Sequence, residues 1–93
     1  MSRPPPIEDF VFDDENVDKM WQHGIRPQQV RQVLDNRPAV AVNRRGRRGL
    51  WMVIGRDNGG ACITIPVEPT SGPTIWRPIT AFPCKESEEA QLR

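Results

Sequence analysis

The densest chemistry in this 93-residue chain is a run of arginines, Asn43-Arg44-Arg45-Gly46-Arg47-Arg48-Gly49, with Trp51 just beyond it. Guanidinium forks match the geometry of phosphates and carboxylates, and a neighbouring indole offers a face on which a base can stack. The run is therefore a candidate binding element for RNA. A solvated hairpin tip, or contact with an acidic protein surface, is the favoured alternative, because a basic turn without other nucleic-acid features needs no base contact to explain it. A second candidate is Arg77, placed between Trp76 and Pro78 in a stretch that reads as a strand. A charge there is costly unless it meets a partner, a carboxylate or a concave surface. Either Arg77 and Trp76 belong to a binding site, or Arg77 pairs with the first helix, where Asp13, Asp14, Glu15 and Asp18 are available.

The groups that move protons or hold metals are sparse. His23 is the only histidine, tyrosine is absent, and Lys19 and Lys85 are the only lysines, so general acid–base chemistry is thinly provisioned. No metal and no cofactor is expected, since one histidine and two unpaired-spacing cysteines lack any ligand pattern. His23 stands beside a helix-ending glycine, where an imidazole caps or complements the helix dipole. Cys62 and Cys84 read as thiols of a reducing compartment, a disulfide being the lesser reading. Gly55, Gly59 and Gly60 flank a turn instead of opening a helix, which excludes a phosphate-cradling loop.

Charge is unevenly spread around a net +1. Residues 1–36 carry four basic and seven acidic side chains, residues 37–77 seven and two, and residues 78–93 two and three. The middle segment, at +5, is the part suited to an anionic partner, either RNA or an acidic protein. With 37% hydrophobic and 27% charged residues the chain is polar yet globular, and its length allows one core. No apolar run reaches the roughly 18 residues of a membrane span, and the opening lacks a signal-peptide pattern, so a cytoplasmic protein is expected.

These residues need positioning elements. Pro4-Pro5-Pro6 makes residues 1–6 a flexible arm, and residues 7–93 form a single domain. Phe10-Val11-Phe12 is a short extended apolar stretch. Asp13-Asp14 then caps a first helix, whose Val17, Met20 and Trp21 share one face and which ends at His23-Gly24. Pro27 opens a second helix, in which Val30, Val33 and Leu34 repeat the spacing before Asn36-Arg37-Pro38 stops it. Residues 39–43, 50–55, 61–67 and 74–82 read as four strands, with turns at Arg45-Gly46 and Asp57-Asn58-Gly59-Gly60. Pro66 and Pro78 predict a bulge or an edge in the last two strands, and the Glu-rich tail predicts a short C-terminal helix. The expected fold is α+β: a two-helix hairpin packed on a four-stranded antiparallel meander sheet.

Order and residues together resemble the BrnT-type toxins of the RelE-like ribonuclease group. Four stretches carry the likeness: Phe10-Val-Phe-Asp13, similar to the family's F-x-W-D; Lys19 to Ile25, similar to K-x-x-x-H-G-V; Val53-Ile54-Gly55; and Arg77-Pro-Ile-Thr-Ala81, similar to R-I-I-S-A. The resemblance spans about residues 8 to 92. It implies a compact helical hairpin against an antiparallel sheet, RNA cleavage, and an antitoxin encoded alongside. By position it keeps Arg77 and Glu88 as candidate catalytic residues. Elsewhere the chain departs: Leu50, Gly60 or Ala61, and Phe82 stand where the family has arginines, and Leu92 where it has a tyrosine. The expected function is thus a toxin-fold protein that inhibits a bacterial process by binding a protein or RNA target. Its basic sheet half would do so through Arg44, Arg45, Arg47, Arg48, Trp51, Trp76 and Arg77. The alternative is an active endoribonuclease of a toxin–antitoxin pair. A homodimer through an exposed sheet edge is a further expected association.

Overall fold

The computed structural model describes residues 3–43 and 51–92. Residues 3–8 carry no secondary structure, and the first strand, β1 (Asp9–Phe10), follows them. Helix α1 (Asp14–Gln22) begins where its cap demands. The Asp13 side chain accepts from the Asn16 amide and the Asn16 side chain accepts from the Asp13 amide, both at 2.9 Å, so two end donors are satisfied reciprocally. At its other end Gly24 takes φ 74° and donates to Trp21 O, while Ile25 donates to Met20 O. This paired closure requires a left-handed residue, which glycine supplies without a Cβ penalty. Helix α2 (Pro27–Asp35) starts on proline and stops at Asn36.

The sheet is larger and differently wired than expected. β2 (Ala39–Val42), β3 (Trp51–Arg56), β4 (Cys62–Pro69) and β5 (Ile75–Pro78) pair antiparallel in succession. β1 then adds a parallel edge to β5, and β6 (Phe82–Pro83) pairs β4 beyond the end of β5. The result is an α+β fold with a mixed six-stranded sheet, correcting the four-stranded antiparallel expectation. The long last strand expected over residues 74–82 is split. Val67 of β4 faces Pro78 and Thr64 faces Phe82, so the chain leaves the ladder between them, beside Pro66. Pro66 lacks the donor that a continuous ladder needs, yet its carbonyl accepts from Ile79 at 2.9 Å.

Strand alternation sorts the two faces. Val53, Ile63, Ile65 and Val67 are buried with Met20, Val30 and Val33 of the helices, joined by Phe10, Trp76 and Ala81. At Gly55 the approach is so close that an added Cβ would lie 2.7 Å from Val33 Cγ1, so the helix seat depends on a missing side chain. On the opposite face Met52 and Ile54 of β3 meet the C-terminal helix α3 (Glu86–Glu89) and its 3₁₀ extension (Ala90–Leu92). Cys62 and Cys84 form a disulfide that ties this tail to β4, contrary to the reading of both as thiols. Their spacing in the chain carries no signature. They meet because β6 returns alongside β4, where the Cys84 amide also donates to Cys62 O.

Candidate functional site

Arg77 is brought to the N-terminus of α1 because β1, immediately upstream of the helix, runs along β5. Its Nε donates to Asp13 Oδ2 (2.7 Å), Nη2 to Asp13 Oδ1 (3.1 Å) and Glu15 Oε1 (3.0 Å), and Nη1 to Glu68 Oε2 (2.8 Å). A guanidinium has five N–H donors, and four hydrogen bonds already run to carboxylates. The side chain is only 19% exposed. The Asp13 hydrogen bond, followed by those of Glu68 and Glu15, holds its pKa above the ordinary arginine range despite burial. In return the Arg77 hydrogen bond holds the Asp13 carboxyl below the usual carboxylate range. The ion pair to the first helix is realised by Asp13 and Glu15. Glu68 was missed in the sequence, since it becomes a partner only through the β4–β5 register that sets it opposite Arg77.

Asn16 completes this clasp. Fully buried, it donates from Nδ2 to Val11 O (3.0 Å) and Pro78 O (2.9 Å) while its Oδ1 caps the helix. Every donor and acceptor of the amide is engaged, which is the condition for burying it without penalty. The signal available in the sequence was the Asp13-x-x-Asn16 spacing of a capping box.

The remaining candidates separate. Arg44, Arg45, Arg47 and Arg48 lie outside the described residues, as do Gly46 and Leu50. Trp51 is half-buried and packs against the core. Trp76, expected at a contact surface, is 8% exposed and a core residue, so it has little face to offer a partner. The exposed indole is Trp21 (52%), expected on the buried side of α1; the Arg26 guanidinium stacks on its ring at 5.6 Å. His23 caps α1 and its ring meets Phe82 at 6.0 Å.

Glu88 is buried, and its Oε1 accepts from the Lys85 amide at 2.7 Å, capping α3. It also lines an open cavity of about 300 Å³ between β2–β3 and the C-terminal tail, together with Ala41, Val42, Asn43, Met52, Ile54, Ser87 and Gln91. Arg77 and Glu88 are thus engaged in separate structural roles. At the β3–β4 turn, Asp57 Oδ1 accepts from the amides of Gly59 and Ala61, and Oδ2 from Gln29 Nε2, all at 2.9 Å. The Gln29 contact leads in holding its carboxyl below the usual range. Gln32 and Asn36 reach the same turn from α2, through the Asn58 amide and the Arg56 carbonyl. Among the described residues there is no cluster of metal-ligating side chains, and no helix is long and apolar enough to cross a membrane. No family model matches the chain, and no curated protein matches its sequence.

Proposed function

We propose that this chain is a BrnT-like, toxin-fold protein that inhibits a bacterial process by binding a cellular target through its basic sheet half, without cleaving RNA. A paired helical layer on an antiparallel β2–β5 meander is the scaffold this reading assigns to the family. The observation that carries it is how Arg77 is used. A nuclease needs cationic donors free to take a phosphate, and a base or acid beside them. Arg77, the family-like arginine retained in the last long strand, is instead bound by Asp13, Glu15 and Glu68. By contrast, residues 36–56 hold six arginines and no carboxylate. That stretch contains β2 and β3, and among the described residues β2 is an outer strand of the sheet. The basic surplus of the sequence is therefore concentrated there, with Arg56 itself paired to Glu89.

Induction in bacteria tests the proposal. Growth should arrest without new RNA ends, and Arg44→Gln, Arg45→Gln, Arg47→Gln and Arg48→Gln together should abolish the arrest. New cleavage ends that appear on induction of the unaltered protein, and persist with purified material, would establish the endoribonuclease instead.

A further inference from the structure

We infer that the Cys62–Cys84 disulfide is a redox latch: a thiol reductant that opens it releases the C-terminal tail, residues 85–92, from β3 and uncovers Met52 and Ile54, while the rest of the sheet stays folded. The latch goes beyond the binding reading above and does not depend on it. The bond joins the first residue of β4 to the residue after β6, across 22 positions of sequence. Lys85, the next residue, is the N-cap of α3, so the bond fixes the root of the tail one residue from its helix. A tether at that point keeps the tail at high local concentration over the sheet. Thr64, buried on β4, adds a hydrogen bond from Oγ1 to Cys84 Sγ at 3.4 Å.

What else holds the tail is slight. α3 has four residues and its 3₁₀ extension three, too few to persist alone. Over the cavity the tail sets Ser87, Glu88 and Gln91 against the apolar Met52 and Ile54, so little apolar surface is matched across that contact. Leu92, half-buried, is the one large apolar residue of the tail. Glu89 pairs with Arg56 at 3.1 Å, but both side chains are more than two-fifths exposed, and such pairs contribute little. β6, two residues long, adds a brief pairing with β4 and the hydrogen bond from the Cys84 amide to Cys62 O. The main core does not need the tail, because Val53, Ile63, Ile65 and Val67 pack with the helices on the other face. Ile54 is fully buried on the tail side, and it is this side chain that release uncovers.

The chemistry is thiol–disulfide exchange. Cys62 and Cys84 are each half-buried, so neither is sealed inside the core, and a small thiol can reach the bond. A thiolate of the reductant attacks one sulfur of the pair and the other leaves as a thiolate; a second reductant thiolate then displaces the mixed disulfide. Two electrons pass to the cysteines, and the two protons that leave the reductant thiols end on Cys62 and Cys84. Two reductant thiols become one disulfide in return. With the bond gone, Cys84 is held to β4 only by β6, and the tail by the slight contacts above.

The test is NMR on the full chain, labelled at amides and methyl groups, before and after reduction with dithiothreitol. Air-oxidised protein should titrate no free thiol. Full reduction should open the Met52 and Ile54 methyl groups to a soluble paramagnetic probe. The Glu88 and Glu89 amides, which donate to Lys85 O, should then exchange with solvent roughly tenfold faster or more. The ladder amides of β3 and β4 should stay protected throughout. Cys62→Ser with Cys84→Ser should match the reduced protein without any reductant, and a small-molecule disulfide should restore the closed state in the wild type alone. Two free thiols in the air-oxidised protein, or tail contacts that persist after full reduction, would overturn the latch. Loss of the β3–β4 ladder together with the tail would also overturn it, by showing that the bond staples the whole fold.

Discussion

Arginine is distributed differently at the two ends of this sheet. On the β5 side a single guanidinium is enclosed by three carboxylates and helps lock α1 to the sheet. On the β2–β3 side the chain runs through six arginines between Asp35 and Asp57 with no carboxylate among them. The first arrangement neutralises charge inside the molecule and contributes to stability. The second is a run of cations with no carboxylate near them in sequence, of which Arg56 pairs with Glu89 across the fold; a basic surplus of this kind favours association with an anionic group. Residue type alone does not reveal the use of Arg77; the carboxylates that the fold brings to it do.

The comparison is tested most severely at the clasp. Arg77→Met keeps an unbranched apolar stem but leaves Asp13, Glu15 and Glu68 converging without a cation. We expect a loss of about 2–4 kcal/mol by chemical denaturation, between the values for an exposed and a buried ion pair. In a domain of this size that lowers Tm by roughly 10–25 °C. A loss under about 0.5 kcal/mol, the ordinary range for surface substitutions, would erase the distinction between the two regions. Asn16→Ala should cost a comparable ~2–3 kcal/mol, since it strips a cap acceptor and leaves the buried Pro78 carbonyl and the part-buried Val11 carbonyl without their donor. It tests whether the clasp is one unit: combined with Arg77→Met, its effect should be less than additive, because both act on the same helix end.

Acid should sharpen the contrast. Asp13 and Asp57 have folded pKa values below their unfolded ones, so the stability they contribute is present above the unfolded value and is lost as pH falls through the folded one. Wild-type protein should lose stability progressively below about pH 5. In Arg77→Met the limb should be shallower, because the hydrogen bond that lowers the Asp13 carboxyl is gone while Asp57 still titrates as before. Equal slopes in the two proteins, measured by denaturant midpoints across that range, would show that Arg77 does not hold Asp13 ionised.

Much of this architecture was legible in the chain, and the gaps have physical causes. Asp13, His23-Gly24, Pro27 and Asn36 act locally, and the helices begin and end within a residue of where they pointed. Strands β2 to β4 fell within two residues of their expected limits, and the Asp57–Gly60 turn that joins β3 to β4 is likewise made by local hydrogen bonds; the turn expected at Arg45-Gly46 lies outside the described residues. Pairings between distant segments left no such mark. β1 is two residues long and its parallel bond to β5 joins Asp9 to Ile75, which no periodicity records. The Cys62–Cys84 disulfide depends on that same kind of return, through β6. Tryptophans were misassigned because a three-four spacing marks a helix face without fixing its width. Trp21 sits at the rim of the α1 stripe, where Arg26 covers it, whereas Trp76 lies beside Phe10 of β1 in the core. Of the candidate site, the helix partners of Arg77 were legible as nearby carboxylates; Glu68 required the register.

The smallest expected effect on stability is the most informative about function. Arg44→Gln, Arg45→Gln, Arg47→Gln and Arg48→Gln together remove four charges from a stretch that has no carboxylate for them to pair with in sequence. Like charges at close spacing repel, so their removal should leave unfolding free energy within about 0.5 kcal/mol of wild type, or raise it slightly. Affinity for an acidic partner should move the other way, falling by at least about tenfold at low salt and becoming less sensitive to added salt, because the cations that steer encounter are gone. Stability and binding would then be separable by region: Arg77 governs the first and the β2–β3 arginines the second. If the quadruple variant instead unfolds several degrees earlier, those arginines are bound within the molecule as Arg77 is, and the β2 side of the sheet would have to be read as a second clasp.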